Sequence, residues 1–384
     1  MDFIAKAQRI VAPLRETSDE SETNRTLSPR AVQLLKDAEL TKLLTPASHG
    51  GYQLSPRALM EAERVVAHGC SAASWVLMVT GAHTFCAGRL PKAGLDAVFG
   101  SDPGVLIPGV PSTGPGSARR TDGGFIVSGR WPYASGADHG GWLIGGARGR
   151  TGNDGERYPD QLMFFPRSDV AVDDTWFTLG MRGTGSKDII LDEAFVPDHL
   201  TVPARKAELG TVDDVDVALY RLPIQATLAT LLLGPIVGIA DRILELVIEE
   251  NTTRRDAYTR DEKRLSSGMQ QRVAEAGAEI DCAWGVAQRS CDLLEEAMES
   301  APPMALAARA QVRWNAAYAT ELCLRATNRL FGAAGAGAAA DRNPLQRLGR
   351  DINTAARHNM LNFDTASEIQ GKSMLGVELS EARV

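Results

Sequence analysis

The sequence predicts a mainly α-helical protein with one β-domain set between two helical regions. Two observations carry that reading. Both ends of the chain hold long stretches with apolar residues at helical spacing. The middle changes to glycine, proline and β-branched residues in short alternations. At 384 residues the chain is long enough for two or three such units. The expected limits are 1–103 for an N-terminal helical domain, 104–208 for the β-domain and 209–384 for a C-terminal helical bundle.

In the first region Ser28-Pro29 and Ser55-Pro56 each place a capping residue before a proline at the first helical position. The stretch from Ser71 to Cys86 is almost uncharged and reads as a helix buried on most sides. Strands are expected at Gly124–Gly129, Trp142–Gly145, Leu162–Phe165 and Asp188–Phe195, spaced for a small antiparallel barrel or sandwich. Four long helices follow, at roughly 224–255, 266–300, 304–331 and 344–373. Pro302-Pro303 and a glycine/alanine turn at 332–340 interrupt them.

Composition narrows the function. With 44% hydrophobic and 23% charged residues the chain is ordinary for a soluble globular protein. A net charge of -7 argues against a general nucleic-acid binder, which needs basic excess to neutralise phosphates. No signal-like apolar segment follows Met1, and the longest apolar run, Ala226 to Ala240, contains Thr, Gly and Pro and reads as a buried helix. Five cysteines without a CxxC or a Cys/His spacing read as reduced thiols, which suggests a cytoplasmic location and no metal site. The glycine-rich 332–337 stretch follows a helix rather than a strand, so it fails the context test for a dinucleotide fingerprint.

Several local stretches then point to one family. They are Gly129-Arg130-Trp131-Pro132-Tyr133-Ala134-Ser135-Gly136, the 176–197 segment with Gly183-Thr184-Gly185-Ser186, Arg254-Arg255-Asp256-Ala257-Tyr258, Leu330-Phe331-Gly332, and Arg350-Asp351 with His358 eight residues on. In this order they resemble the acyl-CoA dehydrogenase fold, which implies a central β-barrel and a four-helix C-terminal bundle. Dehydrogenases of that fold carry a glutamate base where this chain has His358, or on the first bundle helix. The corresponding stretch here, Leu219 to Leu233, holds no carboxylate. The Trp-x-aromatic-x-Ser-Gly motif, His83 and His358 resemble the two-component flavin-dependent monooxygenases, such as the oxygenase component of 4-hydroxyphenylacetate hydroxylase and dibenzothiophene monooxygenase.

That resemblance implies reduced flavin (FMNH2 or FADH2) reacting with O2 to a C4a-hydroperoxide, with hydroxylation of an aromatic or polyketide-like molecule. Because no nicotinamide module is present, a separate NAD(P)H-dependent flavin reductase is expected, and the family suggests a homotetramer. Ser135 is the candidate partner of flavin N5; the plainer alternative is a strand-end serine bonded to its own backbone. His83 and His358 are the candidates for peroxide stabilisation and substrate deprotonation. The alternatives are a satisfied core histidine for the first and a surface or capping histidine for the second. His139 is a weaker third. Trp131 and Trp176 either pack on the flavin or are plain core. Ser112 and Ser186 are loop serines expected near the cofactor. Arg254 and Arg255 are candidate phosphate ligands or a solvated helix end. Other readings are an acyl-CoA dehydrogenase or oxidase with a displaced base, an N- or S-oxygenase on the same fold, and an inactive binding protein.

Overall fold

Residues 2–150, 157–256 and 258–380 are described by the structure, a computed structural model. The chain opens with α1 (Phe3–Glu16), α2 (Ser18–Asn24) and α3 (Pro29–Asp37), then α4 (Pro56–Ala67), α5 (Ser71–Ala87) and α6 (Lys92–Phe99). Ser28 caps α3 as its sequence suggests, accepting from the Ala31 N–H at 3.1 Å. Ser55 precedes Pro56 in the same way but spends its hydroxyl elsewhere, donating to Glu295 on a distant helix. Helix α5 is buried along its whole length except at Val79.

Strands β1 (Gly109–Val110), β2 (Gly116–Thr121), β3 (Gly124–Ala134), β4 (Trp142–Gly149), β5 (Gln161–Pro166), β6 (Ala171–Asp173), β7 (Lys187–Pro197) and β8 (Thr201–Pro203) form one sheet. Its order is β6-β7-β3-β2-β4-β5-β8, with β1 beside β4. The sheet is mixed, not antiparallel throughout. Asp122-Gly123 turns β2 into β3 as a tight hairpin, with Gly123 at φ +70°. The connector after β3 then crosses to the other side of β2, so β4 runs parallel to β2. That connector begins at Ser135.

The β3–β7 ladder is irregular between Trp131 and Ala134, where Tyr133 sits at φ +70°. A bulge of this kind re-aims the residues that follow it.

After α7 (Ala204–Leu209) come α8 (Ile224–Leu231), α9 (Leu233–Thr253), α10 (Ser267–Glu299), α11 (Leu306–Ala334), α12 (Pro344–Ala355) and α13 (Phe363–Met374). Two of the four expected long helices are therefore broken. Pro235 has no N–H for the Leu231 carbonyl, and the first break falls between them at Leu232. The second break spans 356–362, and Asn362 restarts the chain by accepting from the Thr365 N–H at 2.9 Å. His358 lies in this break, not on a continuous helix.

One apolar cluster runs from α1 through the sheet into the bundle. Inside it Glu63 of α4 is fully buried and neither carboxylate oxygen has a hydrogen-bond partner. Gly234 leaves room for it, since a Cβ there would lie 2.5 Å from Oε2. Burial pushes the Glu63 carboxyl well above its usual range. The folded state thus keeps a proton that the unfolded chain releases, and stability falls as pH rises above the unfolded pKa. Glu63→Gln removes that dependence. Its melting temperature relative to wild type should climb between pH 5 and pH 8, by the equivalent of about 1.4 kcal/mol per pH unit at most. Parallel melting curves for the two proteins across that range would refute the assignment.

Candidate active site

Trp75 joins residues that the sequence leaves far apart. On α5 its Nε1 donates to Ser135 Oγ at 3.2 Å. Its ring meets the His358 ring edge-on, with centroids 6.0 Å apart. Four residues along α5 from Trp75 is Val79, and four further is His83, a row on one side of the helix spanning about 12 Å. Val79 is the one residue of α5 that is not buried. The row therefore holds the one point at which an otherwise enclosed helix is partly exposed.

The two histidines are held in opposite tautomers. His83 is buried, and its Nδ1 lies 2.7 Å from the Ile107 carbonyl oxygen. A carbonyl only accepts, so the proton is on Nδ1 and Nε2 carries a bare lone pair. In His358, Nδ1 accepts from the Met360 N–H at 3.2 Å, which places the proton on Nε2. Burial lowers both rings to about 4, so both are neutral at physiological pH. His358 caps a short turn, as the plainer alternative holds, and it also lines a cavity of about 310 Å³ with Thr320, Glu321, Leu324 and Phe363.

Ser135 does not bond its own backbone through its hydroxyl. Its Oγ lies 2.7 Å from Ser186 Oγ, which lies 2.6 Å from Thr184 Oγ1; Thr184 donates to the Met181 carbonyl at 2.8 Å. Ser135, Thr184 and Ser186 are all buried. The loop that carries Thr184 and Ser186 is fastened by the Arg350-Asp351 pair. Buried Asp351 accepts the Met181 N–H at 2.6 Å and the Ser71 hydroxyl at the start of α5. Arg350 donates to the Leu179 carbonyl at 2.5 Å and to Glu22. Gly180 lets the backbones touch, because a Cβ would sit 2.2 Å from the Arg350 carbonyl oxygen.

The remaining candidates fall elsewhere. Trp131 is plain core: fully buried, it packs among Gly116, Gly129 and Gly145 and donates to the Gly146 carbonyl at 2.8 Å. No face of its ring is left for a cofactor. Trp176 is half-buried, donates to Met181 at 3.0 Å and stands edge-on to exposed Tyr133. Ser112 is exposed in the β1–β2 loop. His139 pairs with Thr26 at 3.1 Å. Arg254 donates to the Ala334 carbonyl at 2.7 Å, and Gly335 and Gly337 keep space beside its guanidinium. Arg255 is exposed and lies 3.7 Å from Glu262.

Sequence reasoning gave no site role to Trp75, Thr184 or Asp351, although the last two stand in motifs that it named. Trp75 had one available signal, its place two i+4 steps before His83. The described residues contain no metal-binding cluster and no helix long and apolar enough to cross a membrane.

Comparison with known proteins identifies the fold and the family. Residues 231–363 match the family model "Acyl-CoA dehydrogenase, C-terminal domain". XiaF from Streptomyces sp., solved in complex with FADH2 and glycerol, superposes with a TM-score of 0.91 at 31% identity, covering 98% of this chain and 95% of that one. The chain belongs to the flavin-dependent monooxygenases of acyl-CoA dehydrogenase-like fold. It is an enzyme of that class. It is 28% identical, over 98% of both chains, to the flavin-dependent monooxygenase oxygenase subunit HsaA of Rhodococcus jostii (strain RHA1). To the FADH(2)-dependent resorcinol hydroxylase, oxygenase component, of Rhizobium sp. (strain MTP-10005) it is 27% identical over 98% of this chain and 94% of that one.

Proposed function

We propose that this monooxygenase is the oxygenase half of a two-component system that hydroxylates an aromatic molecule bearing an ionisable hydroxyl. Reduced flavin, FMNH2 or FADH2, comes from a separate NAD(P)H-dependent reductase, and O2 is the co-substrate. The opposite tautomers of His83 and His358 carry this reading. They offer one acceptor and one donor, the pair needed to receive a phenolic proton and to hold an oxygen atom.

The residues present fit a flavin. Ser135 Oγ, buried beside α5, keeps a lone pair after its bonds to Trp75 and Ser186. The Gly335/Gly337 turn places small residues against the Arg254 guanidinium, within 4.0 Å of where a Cβ would stand. When bound, the flavin supplies the electrons that activate O2. Ser135 would accept from N5, and Arg254 would hold the phosphate. His83 Nε2 takes the substrate hydroxyl proton, while His358 Nε2–H donates to the oxygen being transferred. Trp75 fixes the Ser135 hydroxyl and backs the His358 ring, and the apolar wall of α5 excludes water. Homotetrameric assembly is part of the same proposal, supported by the partly exposed aromatic stack of Trp314, Tyr318 and Phe363.

The dehydrogenase alternative has no carboxylate at either position where the family carries its base, since one is His358 and the other falls in the carboxylate-free stretch Leu219 to Leu233. Glu63 is the one carboxyl among the described residues that is buried with both oxygens unpaired, and it packs against Gly234 within the helical core. The test is product and H2O2 formed per flavin oxidised, with reduced FMN and reduced FAD in turn. His358→Ala should still oxidise flavin but release mostly H2O2, and His358→Gln, which restores an N–H near Nε2, should recover part of the coupling. Wild-type coupling in His358→Ala would remove His358 from the mechanism.

A further inference from the structure

Three oxygen–oxygen gaps link Ser135 to the protein backbone: Ser135 to Ser186 at 2.7 Å, Ser186 to Thr184 at 2.6 Å, and Thr184 to the Met181 carbonyl at 2.8 Å. Two oxygens at such distances repel unless a proton lies between them. Three hydroxyls supply three protons, and the carbonyl supplies none. Only one arrangement fills every gap. Thr184 donates to Met181, Ser186 donates to Thr184, and Ser135 donates to Ser186.

The consequence falls on Ser135. Its single proton is committed to Ser186, and one of its lone pairs is taken by the Trp75 N–H. What it has left is an acceptor, not a donor. An oxidised flavin carries a bare acceptor nitrogen at N5, whereas a reduced flavin carries N5–H. Against an acceptor-only hydroxyl the first is a repulsive pair and the second a hydrogen bond.

We propose that Thr184, acting through Ser186, is a positioning residue that fixes the polarity of the Ser135 hydroxyl and so makes the site select reduced over oxidised flavin. This rests on the reading that Ser135 faces flavin N5. Removing the Thr184 oxygen breaks the order at its anchored end. The Ser186 proton then has no acceptor beyond it and turns back toward Ser135, whose own proton swings to the ligand. The site changes from acceptor to donor.

The full-length, flavin-free protein can be titrated with oxidised FMN and FAD in air, and with the dithionite-reduced flavins anaerobically, following tryptophan fluorescence. The readout is the ratio of oxidised to reduced dissociation constants. Thr184→Val is close to isosteric and should lower that ratio about tenfold, the size of one neutral hydrogen bond. Thr184→Ser, which keeps the hydroxyl, should retain the wild-type ratio. A general loss of packing would weaken both redox forms alike and leave the ratio in place.

Ser135→Ala should lower the ratio as well, and adding Thr184→Val to it should change nothing more. If Ser135→Ala lowers the ratio and Thr184→Val does not, the proton-order argument is wrong while the placement of Ser135 stands. If Ser135→Ala leaves both affinities as in wild type, the placement itself fails, and the inference with it.

Discussion

His83→Asn should lower hydroxylated product per turnover by about 10²–10⁴-fold, the range of a general base. Reduced flavin should still be consumed by O2, with H2O2 in place of product. Asparagine is the informative choice. Its side-chain N–H can keep the bond to the Ile107 carbonyl that His83 Nδ1 makes, while the second nitrogen disappears. Alanine would also strand that buried carbonyl, at about 1–3 kcal/mol, and blur the result. Burial holds the His83 and His358 rings near 4, so neither titrates between pH 6 and 9, and the variant keeps only the second. Any pH dependence of the Asn variant in that window then belongs to the substrate. Product should recover as pH rises through the phenol pKa, and recover earlier with more acidic phenols. Full hydroxylation by His83→Asn at neutral pH would exclude it as the base.

Asp351→Ala should cost about 3 kcal/mol of stability and weaken the binding of reduced and oxidised flavin together. Asp351 is the knot between three segments: its own helix α12, the Ser71 start of α5, and Met181 in the loop that anchors Thr184. Burial raises its pKa, and its hydrogen bonds from Ser71 and Met181 work against that rise. Truncation leaves the Met181 N–H buried and unpaired. A neighbouring cavity of about 20 Å³, lined by Cys70, Ser71 and Arg347, has room for one water, which sets a ceiling on the loss. Asp351→Asn keeps an acceptor for Met181 and should fall between alanine and wild type. Thermal denaturation and flavin titration read both effects. A stability change within 0.5 kcal/mol of zero for the alanine variant would mean that the loop is held by other contacts.

The sequence made the helix–sheet–helix order legible because periodicity changes twice along the chain, at the start of the glycine-rich middle and after Pro223. His83, Ser135 and His358 were also legible, as polar residues in motif positions. What joins them was not. Trp75 looks like one more apolar residue of a buried helix until its N–H is seen to point at Ser135. Thr184 reads as a loop threonine, and the role proposed for it lies in a donor direction that only three oxygen–oxygen gaps define. The break at 356–362 was missed because alanine and methionine keep the apolar pattern going, although Asn362 followed by Asp364 is a cap signal in hindsight. Trp131 shows the converse. Its motif is conspicuous, yet the glycines around it enclose the ring completely.

Asp351 meets Ser71 across 280 positions of sequence. During synthesis the N-terminal helices and the sheet emerge long before α12 does, so Trp75 and Ser135 can pack while the loop beneath them is still untied. His358, the proposed donor, arrives later still. The proposed reactive centre is therefore complete only when the final helices dock. A truncated or unfinished chain could resemble the finished protein over most of its core and still hold no place where O2 and a reduced cofactor would meet.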